Sequence, residues 1–350
     1  PLRPFPCGTS PGSPHCGGFV GVDCESDLMF RAMIRRTLLS VLILFLVAVF
    51  VFLATEVLPG DALDVYLSED DVSVMTLEDI EEMRHDLGLD VPAPIRFFTW
   101  LSGAVVGDFG ETIVDNIPIG DIIFNPLLNS LQLGAIITLI TMPVAFAIGA
   151  TTGYWRGRRA DAVVSTTTII GYSIPDFVIG AVLIIIFGVW IPLFPAVITV
   201  YNDAHPLELL AVSLLPAVTV IIGHVAHLSR LLRAGFIETM NSDFVERARL
   251  SGVPEIRIVL RHVFPASVIP TLNAMALYVA GVLSGLIVVE KVFGYPGLGI
   301  ELIEAVDTRE VHVVQAIAFL GAVLVVFMNL LADFAIIALD PRVRSHVSER

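Results

Sequence analysis

Six long apolar runs alternate with polar segments along the chain. A membrane-spanning helix needs about 20 apolar residues, because the bilayer core is about 30 Å thick and a helix rises about 1.5 Å per residue. The runs predict spans at 37–55, 131–153, 162–190, 207–232, 266–289 and 313–339. Pro175 and Asp176 interrupt the third run, so we expect this span to kink or unwind there. The pattern predicts an all-α integral membrane protein with six transmembrane helices.

The arginines indicate which ends of the spans face the cytoplasm, since basic residues collect on that side. Arg31, Arg35 and Arg36 precede the first span, which places the N-terminus inside. With both termini in the cytoplasm, 15 of the 20 basic residues lie in internal segments and four in external ones. An odd number of spans would place either the loop at Arg156 or the C-terminal arginines outside.

Composition supports the membrane assignment and adds one unusual feature. With 55% hydrophobic and 16% charged residues, and a mean hydropathy of +0.83, the chain is not an ordinary soluble domain. The net charge of −15 and the presence of one lysine, Lys291, are typical of proteins that stay soluble in high salt. We infer a halophilic source, although an acidic outer loop with a specific task would also explain the charge.

Most of the acidic charge falls in a predicted external segment, 56–129, directly after the first transmembrane helix at 31–55. This segment holds 16 acidic residues against Arg84 and Arg96. We expect two short helices in it, one at 76–87 capped by Thr76 and one at 95–106 lying on the membrane surface. The five remaining helices form a predicted helical core at 130–340, and 341–350 form a cytoplasmic tail.

The first 30 residues are rich in glycine and proline and contain all three cysteines, Cys7, Cys16 and Cys24. The cysteine spacing matches no zinc template, although a metal or disulfide site stays open as an alternative. We expect a disordered or mistranslated leader, with a natural start at Met29 or Met33.

The polar segment Asn241–Pro265, named here the coupling segment, is a charged island between two apolar runs. Ser242 can cap a short helix, Gly252 can end it in a left-handed turn, and Pro254 prevents its continuation. Such a helix, held at both ends by spans, is suited to docking into a groove on a soluble partner. An ordinary charged loop is the alternative.

The spacing within the coupling segment decides between these alternatives. Glu246, Ala248, Gly252 and Pro265 stand in the order of the EAA-type motif, and the segment resembles the permease subunits of ABC importers. Arg247 replaces the motif's first alanine and His262 its isoleucine. The run at 260–262 looks like the dipeptide and oligopeptide branch.

Other stretches resemble the same family independently. They are 87–90, 97–101 and 107–110 in the external segment, 290–299 after the fifth span, and 340–344 at the C-terminus. The resemblance covers about 33–344.

The resemblance implies a transport complex at the cell membrane. It would comprise this chain, a second related permease, two ATPase subunits that grip the coupling segments, and an extracellular substrate-binding protein, all assembled around the lipid bilayer without nucleic acid. Closure of the ATPases would push on 243–251 and switch the bundle between inward- and outward-facing states. The coupling residues implied are Asp243, Phe244, Glu246, Arg247, Ala248, Arg249, Gly252 and Pro265.

Residues for catalysis are missing from the sequence. A phosphate-binding P-loop requires a lysine, and Lys291 lies in no such motif. CxxC, HExxH and GxSxG patterns are also absent. We therefore expect no enzyme, metal site or cofactor in this chain, with ATP and Mg²⁺ used by the partner ATPases.

Polar residues inside the predicted spans are candidates for the substrate pathway or for bundle packing, because each is costly in a membrane. They are Asp176, Glu290, Asn329 and Asp333. Asp176 and Asp333 could meet a peptide's amino group, whereas Asn329 and Asp333 could equally form an interhelical hydrogen-bond pair. For His224 and His227 we expect a structural role.

Two other function classes remain possible. A stand-alone secondary transporter or channel would use Asp176 and Asp333 as ion sites, but it leaves the EAA-like segment unexplained. A sensory membrane protein would need an output domain, which the short tail does not supply. The substrate is open among peptides, nickel, glutathione-like peptides and oligosaccharides.

Overall fold

A computed structural model describes residues 20–56, 91–113, 115–195, 197–198 and 206–339. Within these ranges the regular elements are helices, and an isolated β-bridge joins Glu111 to Pro118. The predicted all-α class is confirmed for this part of the chain.

Twelve α-helices are named here in chain order. They are α1 (Val20–Glu56), α2 (Ala93–Val106), α3 (Ile119–Tyr154), α4 (Arg159–Ser173), α5 (Asp176–Ile184), α6 (Pro206–Val212), α7 (Leu214–Met240), α8 (Asp243–Leu250), α9 (Glu255–Ile258), α10 (Phe264–Phe293), α11 (Leu298–Asp307) and α12 (Val311–Leu339). A π-helical turn, Ile185–Trp190, continues α5, and another, Val259–Val263, joins α9 to α10.

Four described helical stretches are long and apolar enough to cross a membrane: Met33–Thr55, Ile119–Tyr154, Leu214–Met240 and Val311–Leu331. A fifth crossing results if α4 and the helix Asp176–Trp190 count as one broken span. The two halves meet at 97°. Pro175 explains the break, because its ring disfavours helical geometry at Ile174, which is extended with ψ 126°. The predicted interruption is confirmed and is sharper than a kink.

Several boundaries differ from those predicted. Helix α1 begins at Val20, within the predicted leader. Helix α3 begins at Ile119, inside the predicted external segment. The predicted fourth span is divided at Ser213 into α6 and α7. The helix predicted at 95–106 is present as α2, while the helix predicted at 76–87 lies outside the described residues.

Small residues let α3 and α7 pack closely. A Cβ on Gly149 would lie 2.6 Å from Leu232 Cβ, and one on Gly153 would lie 2.8 Å from a ring carbon of Phe236. These two glycines are four residues apart and form one stripe of α3, the arrangement that brings helix backbones together in membranes. The α3 and α7 helices are therefore closely packed along this stripe.

An aromatic cluster attaches α1 and α2 to α12. The ring of Phe97 lies 5.3 Å from that of Phe52, and Trp100 lies 5.3 Å from Phe319, both in edge-to-face contact. Arg36 of α1 also pairs with Asp333 of α12. Contacts at both ends thus fix α1 against α12.

Candidate functional site

The coupling segment folds as a short helix, a glycine turn and a second helical stretch. Ser242 takes the extended N-cap conformation before α8, but its Oγ donates a hydrogen bond to the Thr239 carbonyl at 2.5 Å instead of capping α8. Asp243 and Glu246 lie in the first turn and Arg247 and Arg249 in the last, an order that complements the helix dipole.

Gly252 ends α8 in the left-handed conformation, with φ 74°, as predicted. Its N–H donates to the Arg249 carbonyl at 2.9 Å, and the next N–H, of Val253, donates to the Ala248 carbonyl at 3.1 Å. This pair of bonds is the Schellman arrangement, which satisfies carbonyls that the helix end would leave free. A Cβ at Gly252 would meet nothing within 4 Å, so the φ angle alone favours glycine here.

A small apolar core fixes α8 to the end of α7. Val245 is fully buried together with Phe236, Ile258 and Val263, and Ala248 packs partly against this cluster. Val245 is therefore the anchor of the segment, although the motif does not include it. Part of the Ala248 side chain therefore contacts this apolar cluster of its own chain.

An ion pair bridges the glycine turn. Arg249 donates from Nε to Glu255 Oε2 at 3.1 Å and from Nη2 to Oε1 at 2.6 Å. The guanidinium holds the pKa of Glu255 below its ordinary value, and the carboxylate raises the pKa of Arg249. Both groups are exposed, so the pair orders the turn more than it stabilises the fold.

The coupling segment also exposes apolar side chains. Leu250 is 82% exposed, and Ile256, Leu260 and Phe244 are also exposed. Glu246, Arg247 and Pro265 of the same segment are exposed as well. Exposed apolar and charged side chains together, on a helix anchored by a buried residue, are the composition expected of a docking surface.

A buried carboxylate braces the same end of the bundle. Asp161 of α4 accepts two bonds from Arg233 of α7, from Nε at 2.9 Å and from Nη2 at 2.8 Å. It also accepts from the N–H of Gly157 at 3.0 Å and from Ser165 Oγ at 3.2 Å. The sequence did not predict this pair, because its two residues are 72 positions apart.

A cleft of about 540 Å³ opens at the break between α4 and α5. It is called the Asp176 cleft, and its polar lining is Tyr172, Asp176, His224, His227 and Tyr278. Asp176, one of the predicted pathway or bundle residues, lines this cleft. The two histidines, for which a structural role is expected, line it as well.

Glu290 lies near the end of α10 and is buried, with the loop at 294–299 beside it. Its Oε1 accepts from Ser130 Oγ at 2.6 Å, and its Oε2 accepts from the N–H of Gly299 at 2.6 Å. The N–H of Leu298 donates in turn to Ser130 Oγ at 2.9 Å. The carboxylate organises the loop at 294–299, a contact that the sequence did not predict.

The other two polar candidates do not meet the Asp176 cleft. Asp333 pairs with Arg36, so its partner is an arginine on α1 rather than Asn329. Neither Asn329 nor Asp333 lines the cleft. Within the described ranges no group of three or more His, Cys, Asp or Glu side chains could hold a metal ion.

Comparison with known proteins supplies the family. Residues 144–345 match the family described as "Binding-protein-dependent transport system inner membrane component". Residues 29–119 match a second, described as "Binding-prot-dependent transport system membrane comp, N-term". Both matches include parts of the structure described above, and the first contains the whole coupling segment.

Individual relatives align over nearly their whole length. The glutathione transport system permease protein GsiC of Escherichia coli K12 is 35% identical over 322 residues, which are 90% of this chain and 99% of that protein. A protein of Brucella suis biovar 1, named provisionally as a peptide permease, is 29% identical over 327 residues, with the same coverage. The chain therefore belongs to the family of binding-protein-dependent permeases, the non-catalytic membrane subunits of ABC importers.

Proposed function

We propose that this chain forms one half of the translocation pathway of an ATP-driven importer for peptides. The surface on the coupling segment supports this proposal most strongly, because Leu250 and Phe244 remain exposed while Val245 anchors the helix from behind. A movement of a soluble ATPase bound to this surface would be transmitted to α7, because Val245 packs on Phe236.

The proposed topology has six spans with both termini in the cytoplasm. Helix α10 would supply the crossing additional to the five above, since its 30 residues can pass through about 30 Å of hydrocarbon. The coupling segment then lies inside, and the acidic segment after α1 lies outside. The distribution of arginines supports this orientation.

The proposed partners are a second related permease, two ATPase subunits and an extracellular binding protein. The exposed coupling residues Asp243, Phe244, Glu246, Arg247 and Leu250 would contact the ATPase. Arg249 and Ala248 would instead maintain the shape of the segment, because their contacts are within this chain. Gly252 would shape the turn through its backbone and face the ATPase on its open side, where a Cβ would meet nothing within 4 Å.

The proposed substrate is a peptide with a free amino group. The aligned relatives are named for glutathione and for peptides, and glutathione is itself a tripeptide. The Asp176 cleft has room and polar groups for a substrate of that size.

A stand-alone secondary transporter is the competing function. It would use Asp176 and Asp333 as ion sites, but Asp333 is already neutralised by Arg36. Gentle extraction of the tagged chain from its own membranes, at the salt concentration of the host, distinguishes the two. The importer predicts co-purification of a second permease and of P-loop ATPases, whereas a homomer without ATPases would refute it.

A pair of variants focuses this experiment on the coupling segment. Leu250→Asp is expected to lose most of the ATPase, because it places a charge in the apolar contact. Val306→Asp makes the same kind of change at an exposed position of α11 and is expected to retain the ATPase. Equal recovery with both variants would show that the coupling surface is elsewhere.

A further inference from the structure

The Asp176 cleft holds a carboxylate that has no hydrogen-bonding or ion-pairing partner in the described part of the chain. Asp176 begins α5, directly after the break at Pro175. Its Oδ1 lies over Gly223 of α7, where a Cβ would come within 2.9 Å. The absent side chain at position 223 therefore gives the carboxylate its space.

His224 adds a second hydrogen-bond acceptor to the same cleft. Its Nδ1 lies 2.8 Å from the Val220 carbonyl, which can only accept, so Nδ1 carries the proton of the neutral ring. Its Nε2 is left as an acceptor and has no partner among the described residues. Asp176 is the acidic side chain of the same lining.

Aromatic rings form the walls around these acceptors. The ring of Tyr278 lies 4.9 Å from that of His224, and Tyr172 stacks on His227 at 5.0 Å. The faces of such rings attract cations. The walls and the acceptors therefore favour the same kind of ligand.

The cleft lies within stretches that count as candidate membrane spans, away from their ends. Helix α4 has 15 residues, so the break lies about 22 Å along the helix from Arg159. His224 lies ten residues after Leu214, the first residue of α7, and so about 15 Å along that helix. A carboxylate without a partner at such a depth is costly, and a mobile cation would offset the cost.

We propose that Asp176 and His224 Nε2 form a subsite for a primary ammonium group of the transported substrate, such as a peptide amino terminus. An ammonium group has three donors, of which these acceptors take two. This subsite rests on the proposed peptide importer and assigns a substrate contact within it. The pairing also explains why the broken span begins its second half with aspartate.

Charged thiol reagents test the subsite without a peptide. The complete importer in proteoliposomes carries Ala274→Cys in the cleft lining, with Cys7, Cys16 and Cys24 changed to Ser. Modification by methanethiosulfonate ethylammonium is compared with modification by the ethylsulfonate reagent at pH 8, with and without ATP. We expect Asp176→Asn to lower the ratio of cationic to anionic rates by about tenfold.

The control Asp121→Asn removes an exposed carboxylate outside the cleft and is expected to leave the ratio unchanged. A ratio that is the same with and without Asp176 would overturn the proposal. Failure of both reagents to reach the thiol introduced by Ala274→Cys in every nucleotide state would overturn it as well, because the cleft would then not be part of a pathway.

Uptake of radiolabelled trialanine provides the second measurement. We expect Asp176→Asn to lower uptake by about tenfold, Asp176→Glu to restore most of it, and His224→Leu to lower it less than Asp176→Asn does. Co-purification of the ATPases must be unchanged in each variant, which excludes a folding defect. Loss of uptake that Asp176→Glu does not rescue, in a variant that assembles normally, would argue against the ammonium contact.

The two assignments fail in distinguishable ways. If the unmodified importer does not take up trialanine, the peptide substrate is wrong, while the labelling ratio still reports on the subsite. If trialanine is imported and neither measurement responds to Asp176, the importer stands and the subsite is wrong.

Discussion

Arg233 grips the Asp161 carboxylate through two parallel hydrogen bonds, of 2.9 and 2.8 Å, between α7 and the start of α4. The carboxylate is buried and also accepts from Gly157 and Ser165, so its oxygens are well satisfied. The same end of α7 carries Phe236, on which the coupling helix packs. The pair therefore connects α4 with α7, the helix that leads into the coupling segment.

The Asp161–Arg233 pair predicts a large cost for removing either partner alone. Asp161→Ala leaves Arg233 without its partner, and we expect a loss of about 2 kcal/mol, because hydrogen bonds between charged groups are worth about 1.5–3 kcal/mol. The cost is kept below that of a fully buried pair since Arg233 is partly exposed. Thermal unfolding of the purified complex in detergent measures it.

A double-mutant cycle checks that this cost belongs to the pair. Asp161→Ala together with Arg233→Ala should cost clearly less than the sum of the two single changes. Strict additivity would mean that the two side chains act independently.

The Arg249–Glu255 pair predicts a pH dependence of the turn at Gly252. The pKa of Glu255 is lowered in the folded chain from an ordinary value of 4.5. A lowered carboxylate pKa gives stabilisation that is present above the ordinary value and is lost as the pH falls through the folded value. The turn should therefore be ordered at pH 6 and should loosen below about pH 4.5.

Hydrogen exchange of the amides of Ser251, Gly252, Val253 and Glu255, corrected for intrinsic rates, measures this order. At pH 6 we expect these amides to exchange a few times faster in the Glu255→Gln variant than in the unmodified chain. The difference between the two proteins should vanish below about pH 4.5. A difference that persisted unchanged at low pH would exclude the ion pair as its cause. The effect on global unfolding should be small, because the pair is exposed.

Gly252 offers a test that separates backbone strain from surface charge. Gly252→Val forces a branched side chain into a left-handed conformation, which costs more than the roughly 1–2 kcal/mol of an ordinary residue. Gly252→Asn tolerates that conformation, and Gly252→Asp has the same shape with a negative charge. We expect Val and Asp to uncouple uptake from ATP hydrolysis and Asn to retain most coupling.

Uptake and substrate-stimulated ATPase activity are measured together for the three variants. Uncoupling by Asp but not by Asn would locate the turn in the contact with the ATPase. If Gly252→Asp retained both activities, the coupling assignment would be refuted.

The sequence predicted features that depend on local chemistry. Apolar runs located the spanning helices, Pro175 predicted the break, and the left-handed turn at Gly252 followed from glycine's conformational freedom. The N-cap position of Ser242 was also correct, but its hydroxyl turned back to Thr239. A cap has several acceptors within reach, and sequence does not decide among them.

Contacts between distant helices could not be predicted from the sequence. Arg36 with Asp333, Arg233 with Asp161, and Ser130 with Glu290 each depend on how two helices are rotated about their axes. Nearly uniform apolar runs leave that rotation undetermined, since almost every face is compatible with lipid. For the same reason the sequence did not place His224 in the cleft with Asp176.

The loop around Glu290 gives a prediction with an internal control. A Cβ on Gly299 would lie 2.5 Å from the Ile287 Cα and 2.7 Å from Glu290 Oε2. The Ile287 backbone is part of α10 and cannot easily move. The Glu290 carboxylate accepts two hydrogen bonds and could move away only by breaking those from Ser130 and Gly299. Gly285 lies in the same helix, α10, and a Cβ there would meet nothing within 4 Å.

We therefore expect Gly299→Ala to lower the thermal stability of the complex by several degrees and to weaken uptake, because the loop at 294–299 separates from α3. Gly285→Ala should be neutral or slightly stabilising, since alanine is the better helix former. Glu290→Gln keeps one acceptor and one donor and should fall between the two. Equal stability of the Gly299 and Gly285 variants would mean that the loop repacks freely, and Glu290 would then have no role in holding this loop against α3.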